Sequence, residues 1–204
     1  MMESMLVSGI SLALGIGILH ALEPDHLAAV TAMSAEGSGW RRSLGYSTRW
    51  ALGHGAAVAA ISGLVLFGIT RLDPRVSSLG ELLAGTLLVL LGLKLLVMQP
   101  HHRHAGPSGA NPRFAMLFGS IHGVAGVAPL LLVLGTRTSD PLATMLAVLG
   151  FCAGVVVAMA GVGLALSLGW RRWNPFLMRQ AAPVQRLVGA CSMLAGGRLL
   201  WSFL

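Results

Sequence analysis

The sequence predicts an all-α, polytopic membrane protein with six transmembrane helices arranged as two inverted three-helix repeats. Three observations lead there. Of 204 residues, 55% are hydrophobic and only 10% charged, against roughly 25% charged in an ordinary soluble domain. The mean hydropathy is +0.77. Six apolar stretches are each near the roughly 20 residues that a helix needs to cross about 30 Å of hydrocarbon. The same composition excludes a disordered chain, which needs low hydrophobicity, and the glycines lack the three-residue period of collagen.

The first stretch runs from Met5 to Met33, and the second from about Ala51 to Thr70. Leu79 to Met98 is the third, with Glu81 and Lys94 near its ends. The fourth is Phe114 to Thr136, the fifth Pro141 to Trp170, and the sixth about Val184 to Leu204, carrying Arg198. The first residues, Met1-Met2-Glu3-Ser4, lack the basic segment of a secretory signal, so the first stretch is expected to be a retained helix. The chain reads as one transmembrane domain over 1–204: repeat one about 1–98, a loop at 99–112, and repeat two about 113–204.

Charge gives the orientation. The net charge is +7, which on a soluble chain would suggest a nucleic-acid partner. Here the basic residues sit between apolar runs and are read as topology signals, with no nucleic acid involved. Segments 34–50, 94–113 and 171–186 hold ten of the fourteen Lys and Arg, leaving Arg71, Arg75, Arg137 and Arg198 for the other side. The positive-inside rule then puts both termini outside.

Two parts of the chain look alike. Gly17-Ile18-Leu19-His20 recurs as Gly119-Ser120-Ile121-His122. Gly92-Leu93-Lys94-Leu95-Leu96 recurs as Gly196-Gly197-Arg198-Leu199-Leu200, and Leu83-x-Gly85 as Leu187-x-Gly189. Three helices per unit invert the second copy, a construction used by transporters whose binding sites lie near the bilayer midplane.

The most informative segment is His20-Ala21-Leu22-Glu23-Pro24-Asp25-His26, with four ionisable side chains inside an apolar span. Each costs about 2.5–3.5 kcal/mol at the centre of a membrane helix, a cost tolerated where such groups pair, line water or hold an ion. A continuous helix over Met5–Met33 would also be about 43 Å long. Pro24 removes a backbone donor and clashes with the carbonyl of His20, so a break is expected there, freeing carbonyls beside the polar side chains. On a straight helix, Asp25 and His26 would point about 140° and 240° round from His20. A break lets the three converge. Two imidazoles and a carboxylate suit a first-row divalent metal, whereas Ca²⁺ and Mg²⁺ prefer oxygen ligands.

His54, in Leu52-Gly53-His54-Gly55, and His122 also lie within spans and are candidate site residues. Glu23 is left open as ligand, proton carrier or interfacial charge. The run His101-His102-Arg103-His104 falls in a loop, where histidines are usually solvated. Cys152 and Cys191 form no CxxC, so neither a zinc ribbon nor a disulfide framework is expected.

At these residues the chain resembles the nickel/cobalt transporter superfamily. His20-Ala21-Leu22-Glu23-Pro24-Asp25-His26 fits its HxxxxDH signature, and Leu52-Gly53-His54 looks like its LGH motif, with Gly55 where the family usually has Ser. The mid-chain acidic motifs of the eight-helix members are absent. The likeness is to the compact six-helix relatives, described as urease-accessory-type nickel permeases or grouped with sulfite exporters. The resemblance implies a multi-pass protein of a bacterial-type plasma membrane with His20, Asp25, His26 and His54 as metal-site residues.

The expected function is therefore a permease, not an enzyme, for Ni²⁺ or Co²⁺, with His20, Asp25, His26, His54 and His122 lining the site. The ion is cargo, and no tightly bound cofactor is expected. No GxxxxGK[ST] occurs, so nucleotide does not drive the chain directly. Two charges moving inward through 100 mV gain about 4.6 kcal/mol, more than a thousandfold accumulation, which favours uptake. The alternatives are metal efflux by proton exchange and export of a small anion such as sulfite. A homo-oligomer or an energy-coupling partner is left open.

Overall fold

The computed structural model describes residues 2–35, 40–69, 74–97, 112–135, 140–179 and 181–201. These form seven α-helices: α1 (Met2–Ala21), α2 (Pro24–Ala35), α3 (Trp40–Leu66), α4 (Pro74–Val97), α5 (Pro112–Gly135), α6 (Pro141–Arg179) and α7 (Ala181–Trp201). No strand occurs among the described residues.

Proline begins α2, α4, α5 and α6, where its missing N–H costs nothing and its fixed φ favours the first turn. At α6 the cap is Asp140, whose Oδ1 accepts from the Leu142 N–H at 3.0 Å. The α3 helix ends in a Schellman turn: Gly68 takes φ +72°, and the Ile69 N–H reaches the Leu64 carbonyl at 2.9 Å.

Among the described residues, each of the six apolar stretches lies mainly on helix, but two boundaries differ from expectation. Segment 34–50 was expected as a loop, yet α3 begins at Trp40. Ser43, Tyr46, Ser47 and Trp50 are buried on its first turns, so tertiary packing carries the helix out past the apolar run. Segment 171–186 is likewise mostly helical. The α6 helix continues to Arg179, and α7 starts at Ala181 with Pro183 in its first turn, where a missing N–H is harmless. At 39 residues, α6 is about 58 Å long, well beyond the hydrocarbon thickness.

The first stretch is broken as expected. Its two parts meet at a bend of 59°. The carbonyls of Leu19 and His20 are not freed, however. Leu22 N–H bonds to Leu19 O at 3.1 Å and Glu23 N–H to His20 O at 3.0 Å, so a tight last turn satisfies them. By length and composition, Arg41–Leu66, Ser78–Val97 and Pro141–Leu168 are long and apolar enough to cross a membrane among the described residues, and the bent α1–α2 pair passes the same test together, as a broken span or a re-entrant loop.

The surface and interior are arranged for lipid. Leu19, Leu90, Leu117, Val157 and Leu194 are exposed, while Ser47, His54, Ser62, His122 and Ser192 are buried. With no hydrophobic drive between helices in a bilayer, association rests on close packing of small residues and on interhelical hydrogen bonds. Added β-carbons locate the close approaches. At Gly17 one would meet the Phe151 carbonyl, and at Gly154 the Leu14 carbonyl, where α1 crosses α6. At Gly119 one would meet the Trp50 carbonyl, and at Gly53 the Met116 carbonyl, where α5 crosses α3.

The α4–α7 pair has the same reciprocity. Gly85 faces Gly196, Gly92 faces Gly189, and between them Ser192 Oγ donates to the Leu88 carbonyl at 2.9 Å. Cys152 is buried and Cys191 exposed, both unbridged. The Cys152 thiol donates to the Gly55 carbonyl at 3.5 Å, a packing role.

Candidate metal centre

The break between α1 and α2 sits against α3, α5 and α6 and gathers histidines there. His20 ends the last full turn of α1, and His26 lies in the first turn of α2. Although Pro24 separates them in the chain, their ring centroids are 4.5 Å apart. His54 of α3 is 5.5 Å from His20 and 5.3 Å from His26. His122 of α5 is 5.5 Å from His26. All four imidazoles, carried on four helices, thus share one interior space. His54 is fully buried, and His26 and His122 are each 3% exposed.

The carboxylates hold rings. His20 donates from Nδ1 to Glu23 Oε1 at 3.0 Å, and His26 from Nδ1 to Asp25 Oδ1 at 3.1 Å. In each case the partner fixes the tautomer and leaves Nε2 with its lone pair, the arrangement by which metal-ligating histidines are oriented. Asp25 Oδ2 also points toward His122 Nε2, 3.8 Å away. Burial grades inward: Glu23 has about half its side chain exposed, Asp25 about a fifth, and His26 almost none.

The inner nitrogens have nothing to bond. His20 Nε2, His26 Nε2 and both ring nitrogens of His54 and His122 are buried with no hydrogen-bond partner. Each such group costs about 1–3 kcal/mol, so a cluster of them needs an occupant or a function to account for it. One nitrogen each from His20, His26 and His54 lie within 4.8 Å of one another, close enough for one ion. Glu23, Asp25 and His26 form a second such group nearer the surface.

An aromatic wall, not anticipated from the sequence, lines the cluster. Trp50 stacks on His54 at 5.3 Å and is 5.6 Å from His122. Phe118 lies edge-on to His122 at 5.0 Å, and Phe151 is 5.2 Å from His20. Trp50 and Phe118 each stand four residues before a histidine, one helical turn away. That spacing is visible in the sequence and could have found them. The loop histidines His101, His102 and His104 lie outside the described residues.

The fold and this cluster define a helical membrane protein with a buried histidine–carboxylate centre. The chain is 28% identical to the urease accessory protein UreH of Bacillus sp. (strain TB-90) over 192 residues, covering 82% of this chain and 81% of that relative. The compact branch to which the motifs pointed carries that same urease-accessory designation. The likeness to that urease accessory protein thus spans most of the chain, and the structure brings a His/Asp group together at the motif. No family model matches the chain, and no solved structure matches it.

Proposed function

We propose that the protein is a six-span permease that takes up Ni²⁺ or Co²⁺ through the cluster at the α1–α2 break. One observation carries the reading: four imidazoles from four helices converge with unpartnered nitrogens on a space that three ligand atoms could share with one ion. Imidazole donors select a first-row divalent ion over Ca²⁺ or Mg²⁺. His20, His26 and His54 take the ion. Asp25 fixes His26 and faces His122, and Glu23 fixes His20 at the mouth of the site. A small anion would meet carboxylates there, which disfavours the sulfite reading.

The paired crossings support the inverted repeat. Gly17–Phe151 and Leu14–Gly154 match Gly119–Trp50 and Met116–Gly53 under a shift of 101 or 102 residues, and the α4–α7 contacts exchange under a shift of 104. The pseudo-dyad passes between Leu88 and Ser192, which are equivalent positions in contact. Both termini are outside, the basic segments are cytoplasmic, and the membrane potential drives uptake. The test is ⁶³Ni²⁺ flux into oriented vesicles under imposed potentials of either sign. Flux that follows an inside-negative potential and is blocked by Co²⁺ supports uptake, and absence of metal flux in both directions defeats it.

A further inference from the structure

Three glycines on α5 face inward, and their neighbours differ in kind. A β-carbon on Gly119 would strike the Trp50 carbonyl, and one on Gly123 would lie 2.5 Å from the His54 carbonyl oxygen. Backbone cannot step aside, so those two glycines are required by the crossing of α5 over α3. Gly126, about one turn further along α5, is different. The atoms nearest a β-carbon there all belong to side chains. The β-carbon would lie 3.6 Å from His20 Nε2, 3.9 Å from His20 Cε1 and 3.9 Å from His54 Cε1. These are ordinary contact distances, and alanine is the better helix former. Packing therefore gives no reason for glycine at 126.

The atoms that border this gap do give a reason. His20 Nε2 is buried and unpartnered, and it is one of the nitrogens turned away from the carboxylates. His54 forms the other wall. We propose that Gly126 keeps open a coordination position beside His20 and His54, so that the cargo ion holds more than one water in addition to its three imidazoles, and that this position, whose loss still leaves a fourth ligand for Zn²⁺, sets the choice among divalent ions. The inference rests on the metal-permease reading of the cluster.

The chemistry follows from coordination number. An imidazole nitrogen sits about 2.0–2.1 Å from a bound ion. A methyl group resting against Nε2 then occupies the shell in which a further ligand of that ion would lie. Zn²⁺ is satisfied by four ligands. Ni²⁺ and high-spin Co²⁺ with nitrogen and oxygen donors hold five or six, so loss of a water position penalises them more. Filling the gap tilts the site from Ni²⁺ toward Zn²⁺.

The test compares the full-length wild type with Gly126→Ala in detergent, measuring Ni²⁺ and Zn²⁺ affinity, the visible spectrum of bound Co²⁺, and thermal unfolding without metal. The expected result is metal-free unfolding at or above the wild-type temperature and a loss of at least tenfold in Ni²⁺ affinity. Zn²⁺ affinity should change less than threefold, and the Co²⁺ bands should intensify as coordination falls. Unchanged Ni²⁺ affinity, or equal losses for both metals, overturns the inference. So does a marked fall in metal-free stability, which would make Gly126 a packing residue. Wild-type protein that binds none of the three ions overturns the permease reading itself, a result distinct from all the others.

Discussion

The imidazoles of His20 and His26 lie with ring centroids 4.5 Å apart, in edge-to-face contact, across a bend of 59° in the chain. On a straight helix they would point about 240° apart round the axis. The bend is thus what turns two sequence-local histidines into one site. Pro24 begins the second segment and has no N–H to offer the His20 carbonyl, which takes the Glu23 N–H instead.

Replacing Pro24 with alanine restores a donor and allows the two segments to align. The expected outcome is a loss of Ni²⁺ affinity of more than tenfold with the protein still folded. Isothermal titration beside circular dichroism checks both halves of that statement. Unchanged affinity would mean that packing alone holds the bend.

Asp25 accepts from His26 Nδ1 at 3.1 Å and faces His122 Nε2 at 3.8 Å. Loss of a carboxylate that orients a ligating histidine lowers metal affinity about 10–100-fold. Asp25→Asn should fall in that range, read by competition with a chelating dye. His122→Ala should cost less, because His122 is not among the three residues whose nitrogens lie within 4.8 Å of one another.

Protons and metal compete for the same imidazole nitrogens. Ni²⁺ affinity should therefore fall as the pH is lowered and level off on the alkaline side. The titration should be run at several pH values. Affinity that stays flat from pH 5 to 8 is incompatible with histidine ligation.

How much of this was legible in the sequence depends on the range of the interaction. The break at Pro24 and the gathering of His20, Asp25 and His26 could be read because proline's missing donor acts within one helical turn. His54 and His122 were readable as costly polar groups in apolar spans, though nothing local says which ring each one touches. Trp50 and Phe118 carried only the signal of standing one turn before His54 and His122, Phe151 looked like any apolar side chain, and the crossings at Gly53, Gly119 and Gly17 bring all three to the site. The extension of α3 back to Trp40 was hidden for the same reason. Arg41, Arg42 and Arg49 read as loop, while burial of Tyr46 and Trp50 sustains the helix. Arg49 bonds back to the Gly45 carbonyl at 3.2 Å.

The α5–α3 crossing should tolerate no added bulk. Gly119→Ala drives a methyl into the Trp50 carbonyl, and overpacking of this kind costs about 1–3 kcal/mol. Gly15 has nothing within 4 Å of an added β-carbon. Thermal unfolding in detergent should show a lowered midpoint for Gly119→Ala and none for Gly15→Ala.

Sidedness has its own check. In a Cys191→Ser background, Arg42→Cys should react with a membrane-impermeant thiol reagent only from the cytoplasmic face. Arg75→Cys should react only from the outer face. The reverse pattern, or reaction of both from one side, contradicts the assigned orientation.

The proposed permease depends on imidazoles at the α1–α2 break holding the transported ion. X-ray absorption on Ni²⁺-loaded wild-type protein and on His26→Ala tests it most directly. The expected spectrum is a nitrogen/oxygen shell with the multiple scattering of about three imidazoles, the number of histidines whose nitrogens lie within 4.8 Å of one another. In the variant, one imidazole should be missing. An oxygen-only shell, or a spectrum that His26→Ala leaves unaltered, would contradict it.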